Sequence, residues 1–476
     1  MNRSYPKSWF ADLIIFLLTG AFIYSGSSFV SEWNSSYNPN YQISLSALNI
    51  PLYAAFSALR GFIAYIFSLI FTLFVGYWAD KSPRAERFIL PLLDTMQSIP
   101  VLGFLPGLVL GLVSLFPRSN LGLELASILM IFTGQVWNMT FAFYASLKSI
   151  PTELNEASSI LKLTHWQKLK FLELPFSAMS LTWNSVMSMA GGWFFLSVCE
   201  AFTLGQQNYR LPGLGAYMAV AIEQGDYFAM AYGGIAMILI IIFFDLILWR
   251  PALAWAHRFR MEESDTTISS QDPMLNWILN KSWIIKKIQK SFQASKKKIK
   301  SVPHKKNWQH SSISSFRQKI QNLNNQLLIT HWRLWKWLGR TSIIIGLLLI
   351  FSWILPSTKN LFISVSHLGI QTWKQIFLES FWTLLRVIGS LVLGTLWTTP
   401  LAIWISLKPS RMQWAQPLIQ TMASFPAPML YPMALGAFIY LKIPFELGAM
   451  LLMLLGVQWY ILFNVLAGAT RIPAQL

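Results

Sequence analysis

Continuous apolar runs of roughly 20 residues recur along this chain, and they leave few folds open to it. A run of that length without interruption is a membrane-spanning helix, not the ten-residue alternating segment of a membrane barrel. Reading windows of that size places spans near 9–28, 52–79, 97–117, 122–147, 178–202 and 228–250, then near 341–358, 380–406, 419–441 and 445–468. Only 12% of the 476 residues are charged, against 54% hydrophobic. A soluble domain carries about 25% charged residues, so a soluble enzyme is excluded.

The loops sort by charge. Lys81, Arg84 and Arg87, and then Lys148, Lys162, Lys168 and Lys170, lie in loops that the positive-inside rule puts in the cytoplasm. The loops assigned to the other side carry Glu32, Glu223 and Asp226. Of the net charge of +18, most sits between Arg258 and Arg340, where 17 Lys and Arg face four acids. Basic runs beside spans favour anionic lipid over nucleic acid as partner. Within this segment Ile284, Ile288 and Phe292 recur every four residues, the pattern of an amphipathic surface helix. Ten spans with both ends cytoplasmic satisfy every loop. Cys199 is the single cysteine and reads as a packing residue.

The chain also resembles itself. At an offset of 326, Arg60 falls on Arg386 and Pro83 on Pro409. Pro91, Thr95, Met96, Ser98 and Pro100 fall on Pro417, Thr421, Met422, Ser424 and Pro426. After a four-residue deletion, Trp137, Phe141, Ile150, Pro151 and Leu154 fall on Trp459, Phe463, Ile472, Pro473 and Leu476. The expected fold class is therefore all-α: a polytopic transmembrane helix bundle of about ten spans, built as two parallel repeats. The units are 1–253 and 339–476, joined by the basic linker 254–338. Two such bundles side by side place a pathway along their shared axis.

Between the fourth and fifth spans, "ELNEASSILKLTHWQKLKFLELPFS" is too long and polar for a turn. It reads as two short helices, Glu156 to Leu163 and His165 to Leu172, with Pro175 ending the second through its missing N–H. A projecting hairpin of this kind suits a groove on a soluble partner. The stretch resembles the EAA loop, E-A-A-x3-G-x9-I-x-L-P, of the MetI-like permease subunits of bacterial ABC importers. Glu156 and Ala157 match, Ser158 stands for the second alanine, Lys162 occupies the glycine position, Leu172 the isoleucine position, and Leu174 and Pro175 match. Lys162 replaces the residue that lets the two helices turn sharply. "GGWFFLSVCEAFTLG" and "LPGLGAYM" are similar to the nitrate, sulfonate and taurine permeases, including tandem-fused forms.

The resemblance implies a permease in the bacterial inner membrane that forms the substrate pathway and is not itself an enzyme. A separate ABC ATPase dimer binds ATP and docks on the 153–175 loop, and a periplasmic or lipid-anchored binding protein delivers a small anion. The chain itself holds no G-x4-G-K-[ST] loop and no H-E-x-x-H motif. Arg60, Gln97, Glu200 and Arg386 are the candidate pathway residues. The two arginines suit an oxyanion or a structural acid, Glu200 is an acid at membrane depth, and Gln97, Ser98 and Pro100 break a span. A secondary transporter or channel is the alternative, and it has no use for a docking hairpin. At an offset of 322 the counterpart of Glu156 would be position 478. The second unit is therefore expected to lack its own loop, as a truncated remnant or as one completed by a separate fragment.

Overall fold

The computed structural model describes residues 24–38, 41–204, 206–259 and 369–469. The expected spans 9–28 and 341–358, the linker with Ile284, Ile288 and Phe292, and Ile472, Pro473 and Leu476 fall largely or wholly outside the described residues. The chain divides into two compact units, Met1–Lys287 with Arg386–Leu476, and Ile288–Leu385. Of the second, only residues 369–385 are described, and they begin a long helix.

Residues 24–33 form α1. There follow α2 (Ile50–Lys81), α3 (Pro83–Ser98), α4 (Val101–Leu115) and α5 (Leu121–Lys148). Next come α6 (Thr152–Ile160), α7 (His165–Lys168), a π-turn at Leu169–Glu173 and α8 (Leu174–Cys199). The hairpin β1 (Ala201–Leu204) and β2 (Gln207–Arg210) leads to α9 (Leu214–Gln224) and α10 (Tyr227–Phe244). A second π-turn, Asp245–Trp249, joins α10 to α11 (Arg250–Ala256). Then come α12 (Ile370–Ser406), α13 (Pro409–Ser424), α14 (Ala427–Tyr440) and α15 (Phe445–Ala469).

Among the described residues, five helices are long and apolar enough to cross a membrane, or seven if each bent pair counts as one span. The expected span at 178–202 is not among the five. It forms α8, whose Ser177, Ser185 and Ser188 lower its hydropathy yet are buried against protein. The expected all-α class also gives way at 201–210, where the antiparallel hairpin pairs Phe202 with Tyr209 and Thr203 with Asn208. The Phe202 and Tyr209 rings stack 5.2 Å apart, and cross-strand aromatic pairs of this kind hold short strands together.

Each bend follows from a Ser-x-Pro sequence. The ring of Pro100 disfavours a helical Ile99, which adopts φ −75° and ψ 125°. The axes of α3 and α4 consequently meet at 95°. Phe425 before Pro426 does the same (φ −71°, ψ 129°), and the bend there is 86°.

The core is a bundle of α2, α5 and α8, with α2 and α5 parallel and α8 antiparallel to both. Without a hydrophobic drive between helices in lipid, small residues must let them approach. Gly61 lies under Met189, Trp193 and Leu196, and Gly76 admits the Phe143 ring so closely that a Cβ would stand 2.8 Å from it. Midway, Thr72 and Thr140 share a hydrogen bond of 3.1 Å.

Ion clusters tie the three helices at each end. At one end Arg60 is fully buried and donates to both Glu124 oxygens, through Nε at 2.8 Å and Nη2 at 2.7 Å. Its Nη1 meets Glu200, which also accepts from Ser57 Oγ at 2.7 Å and from the Gly215 amide at 2.6 Å. At the other end Lys81 joins Asp80 (2.7 Å) and Glu173 (2.6 Å), while Lys148 meets Glu86 at 3.1 Å.

Elements recur at the offset seen in the sequence. Helices α13 and α3 have the same bounds 326 residues apart, and α14 starts 326 after α4. On α12 the buried Ser390, Gly394, Thr398, Ala402 and Ile405 lie 326 beyond Ala64, Ser68, Thr72, Gly76 and Ala79, all buried on α2. Arg386 pairs with Glu446 (Nε to Oε2, 2.6 Å), residues offset by 326 from Arg60 and 322 from Glu124.

Arg60→Met leaves two uncompensated buried carboxylates and is expected to destabilise the fold by about 3–5 kcal/mol. The triple replacement Arg60→Met, Glu124→Gln, Glu200→Gln should recover much of that loss. Thermal melting in detergent checks both.

Candidate functional site

The hairpin between α5 and α8 is specified residue by residue. Pro151, with φ −54° and ψ 144°, precedes α6, so this helix begins at Thr152, ahead of the expected Glu156. It ends at Ile160 because Lys162 adopts the left-handed conformation, φ 48°. There the Leu163 amide donates to Ser158 O (3.1 Å) and the Lys162 amide to Ser159 O (3.0 Å), the paired bonds of a Schellman cap. A lysine thus makes the sharp turn that glycine makes at no steric cost. Thr164 then opens α7 with a capping box: its Oγ1 accepts from the Gln167 amide, and Gln167 Oε1 accepts from the Thr164 amide.

Contrary to the expectation from the sequence, Pro175 does not end the second helix. Helix α7 runs through the π-turn 169–173 into α8, with Pro175 in the first turn of α8. The wider i→i+5 turn, seen in the bond from the Leu174 amide to Leu169 O, passes the chain across the missing proline donor.

Glu156, Ala157 and Lys162 are exposed, and Ser158 is buried, its hydroxyl donating to Asn155 O at 2.7 Å. Leu172 and Leu174 pack on Phe143, Leu147 and Ile150 at the end of α5. Pro175 is half-buried. Asn155, Glu156, Ser159, Ile160 and Lys168 line an open hollow between the two short helices. Ile160, Leu161, Trp166 and Phe171 stand out from the hairpin, each 65–80% exposed.

Glu173 roots the hairpin, and the sequence reading missed it. It is buried, one oxygen accepts from Lys81, and the other has no partner. An acid directly before Leu-Pro, with a lysine closing the second span, is the signal that was there to be used.

Arg60 and Glu200, two of the candidate pathway residues, meet in a buried cluster in which each neutralises the other. Gln97 is exposed and bonds Asp94 on its own helix at 2.7 Å. Arg386 is partly exposed and engaged by Glu446. A cavity of about 10 Å³, room for one water, lies between α8, α13 and α15. Met187, Gln420, Ser424, Trp459 and Tyr460 are among its lining residues.

Residues 68–249 match the family described as the binding-protein-dependent transport system inner membrane component. The matched stretch holds the whole hairpin and its Lys81–Glu173 root. The trimethylamine N-oxide transport system permease protein of Pelagibacter ubique is 27% identical over 40% of this chain and 24% of its own length. The glycine betaine/proline betaine transport system permease protein of Escherichia coli is 25% identical over 38% of this chain and 47% of its own. The chain thus spans less than half the length of either relative. A structure of the MetNI methionine ABC transporter in inward-facing conformations aligns with 43% of this chain and 93% of that one, at 18% identity and a TM-score of 0.34.

Lys162→Gly is expected to steady the hairpin by up to about 1 kcal/mol, and Lys162→Val to weaken it by about 1–2 kcal/mol, since a β-branched side chain resists positive φ. Hydrogen exchange at the Lys162 and Leu163 amides reads the difference.

Proposed function

We propose that this chain is the permease component of an ATP-driven importer in a bacterial inner membrane, a transport subunit and not an enzyme. The hairpin 152–175 is its docking element for a separate ATPase dimer. One observation carries this reading: a rigidly capped hairpin, rooted by Glu173 on Lys81, presents Glu156 and four exposed apolar side chains inside the family-matched stretch. Exposed Trp and Phe on a fixed helical frame are what an interface buries. A binding protein on the opposite face completes the transporter.

The substrate expectation changes. The relatives are named for trimethylamine N-oxide and betaines, and not for nitrate, sulfonate or taurine. Methylated-nitrogen compounds therefore replace the small anion as the substrate class. Arg60, read from the sequence as suiting an oxyanion or a structural acid, is engaged by two carboxylates.

The chain is also read as a tandem of two permease units. The recurring bounds of α3–α4 and α13–α14, the shared buried positions of α2 and α12, and the two Arg–Glu pairs support it.

Glu156→Lys and Trp166→Ala are each expected to weaken ATPase binding by about 2 kcal/mol, roughly 30-fold, while the membrane fold persists. Co-purification with the ATPase and ATP-dependent uptake of betaine into proteoliposomes test this. Unchanged binding and uptake in both variants would overturn the docking role.

A further inference from the structure

The hairpin stands on two feet, the end of α5 at Lys148 and the start of α8 at Glu173, and both reach the last turn of α2. On one foot Lys81 Nζ meets Glu173 Oε1 at 2.6 Å, and on the other Asp80 Oδ1 meets Lys148 Nζ at 3.9 Å. Lys81 also joins Asp80 Oδ2 at 2.7 Å, so the charges alternate from foot to foot: Glu173, Lys81, Asp80, Lys148. Lys148 continues the row to Glu86 at 3.1 Å, in the first turn of α3, and Tyr144 donates to Glu86 at 2.6 Å. Each lysine lies over the ring of a tyrosine one turn earlier on its own helix, Lys81 over Tyr77 at 5.0 Å and Lys148 over Tyr144 at 5.5 Å. Only Ser82 separates α2 from α3.

Packing does not account for these charges. Leu154, Leu172 and Leu174 already seat the feet on Phe143, Leu147 and Ile150. A carboxylate in the last turn of a helix opposes the helix dipole, and Asp80 lies in that turn. Glu173 is sealed from water with one oxygen unpartnered, at a place where an apolar side chain would cost less. Single pairs of half-exposed charges add little stability, but a row of alternating signs favours one arrangement of its parts over others.

We propose that Asp80 and Lys81 are positioning residues that hold one foot of the hairpin each and pass its movement to α2 and α3. The proposal rests on the docking role of the hairpin. Lys81 takes the α8 foot through Glu173, and Asp80 takes the α5 foot through Lys148. A hairpin drawn by its partner then carries the corner at Ser82 with it, and the bent pair α3–α4 begins at that corner.

The test uses the full chain with Cys199→Ala, reconstituted with its ATPase. Spin labels are placed at His165→Cys on the hairpin and Arg87→Cys on α3, both exposed. The distance between them is expected to keep one narrow distribution with and without ATP. Lys81→Gln with Glu173→Gln removes the ionic contact and leaves no unpaired buried charge. In that variant the distribution is expected to broaden several-fold on adding ATP, and uptake of glycine betaine per ATP hydrolysed to fall several-fold. Lys81→Glu with Glu173→Lys restores opposite charges and is expected to recover both. A pair needed only for folding would lower the melting temperature and move neither readout. Asp80→Asn with Lys148→Gln frees the other foot at half-exposed positions, and takes over the test if the first pair does not fold. Unchanged distances in these folded variants, or no recovery on exchanging the charges, overturn the positioning role, and ATPase binding then still upholds docking. An unaltered chain that fails to bind the ATPase overturns the docking reading and the positioning role with it.

Discussion

A guanidinium held between two carboxylates, out of reach of water, is the constraint on which the rest of this structure depends. Arg60 belongs to α2, Glu124 to α5 and Glu200 to α8, so the cluster forms only when all three helices have the right rotation and height. It reaches further still. The Gly215 amide lies on Glu200, Ser57 accepts from the Leu214 amide at 2.9 Å, and a Cβ on Gly213 would collide with the Glu200 carboxyl. The loop "LPGLG" is thus folded around a charge, and its glycines are there to let backbone approach carboxylate. Buried ion sets add little net stability but are severe about registry, since any slip strands a charge.

The opposite end of the bundle works differently. Lys81, Lys148, Asp80 and Glu86 are only partly buried, so their pairs are weak and solvated. Glu173 is the exception, buried with one oxygen unpaired. One end of the bundle is therefore locked and the other loosely held, and the hairpin projects from the loosely held end.

Local features were legible in the sequence. Apolar runs marked the helices, Ser-x-Pro marked both bends, and the polar stretch after α5 marked the hairpin. Long-range pairings were not. Arg60 was read as suiting an oxyanion or a structural acid, but which acids could not be named, because its partners lie 64 and 140 residues away and nothing local points to them. Lys162 stood at the glycine position of the loop, where a sharp turn was expected, but its side chain put that turn in question; the backbone turns there all the same. Pro175 read as a terminator because a π-turn leaves no mark in composition. Helix α8 read as an ordinary span, although its serines face protein.

The continuity of α7, the π-turn and α8 has a mechanical meaning. Thirty-five residues from His165 to Cys199 run without a non-helical break. Trp166 stands near one tip and Glu200 just past the other. A continuous helix passes displacement of the hairpin on to α8 with no loop between them. It tilts about whatever grips it along its length, and the residues that grip it are Gly61, Gln135 and the rings around Trp193. Movement of the hairpin would therefore be felt at the opposite end of the bundle, where the Arg60 cluster lies.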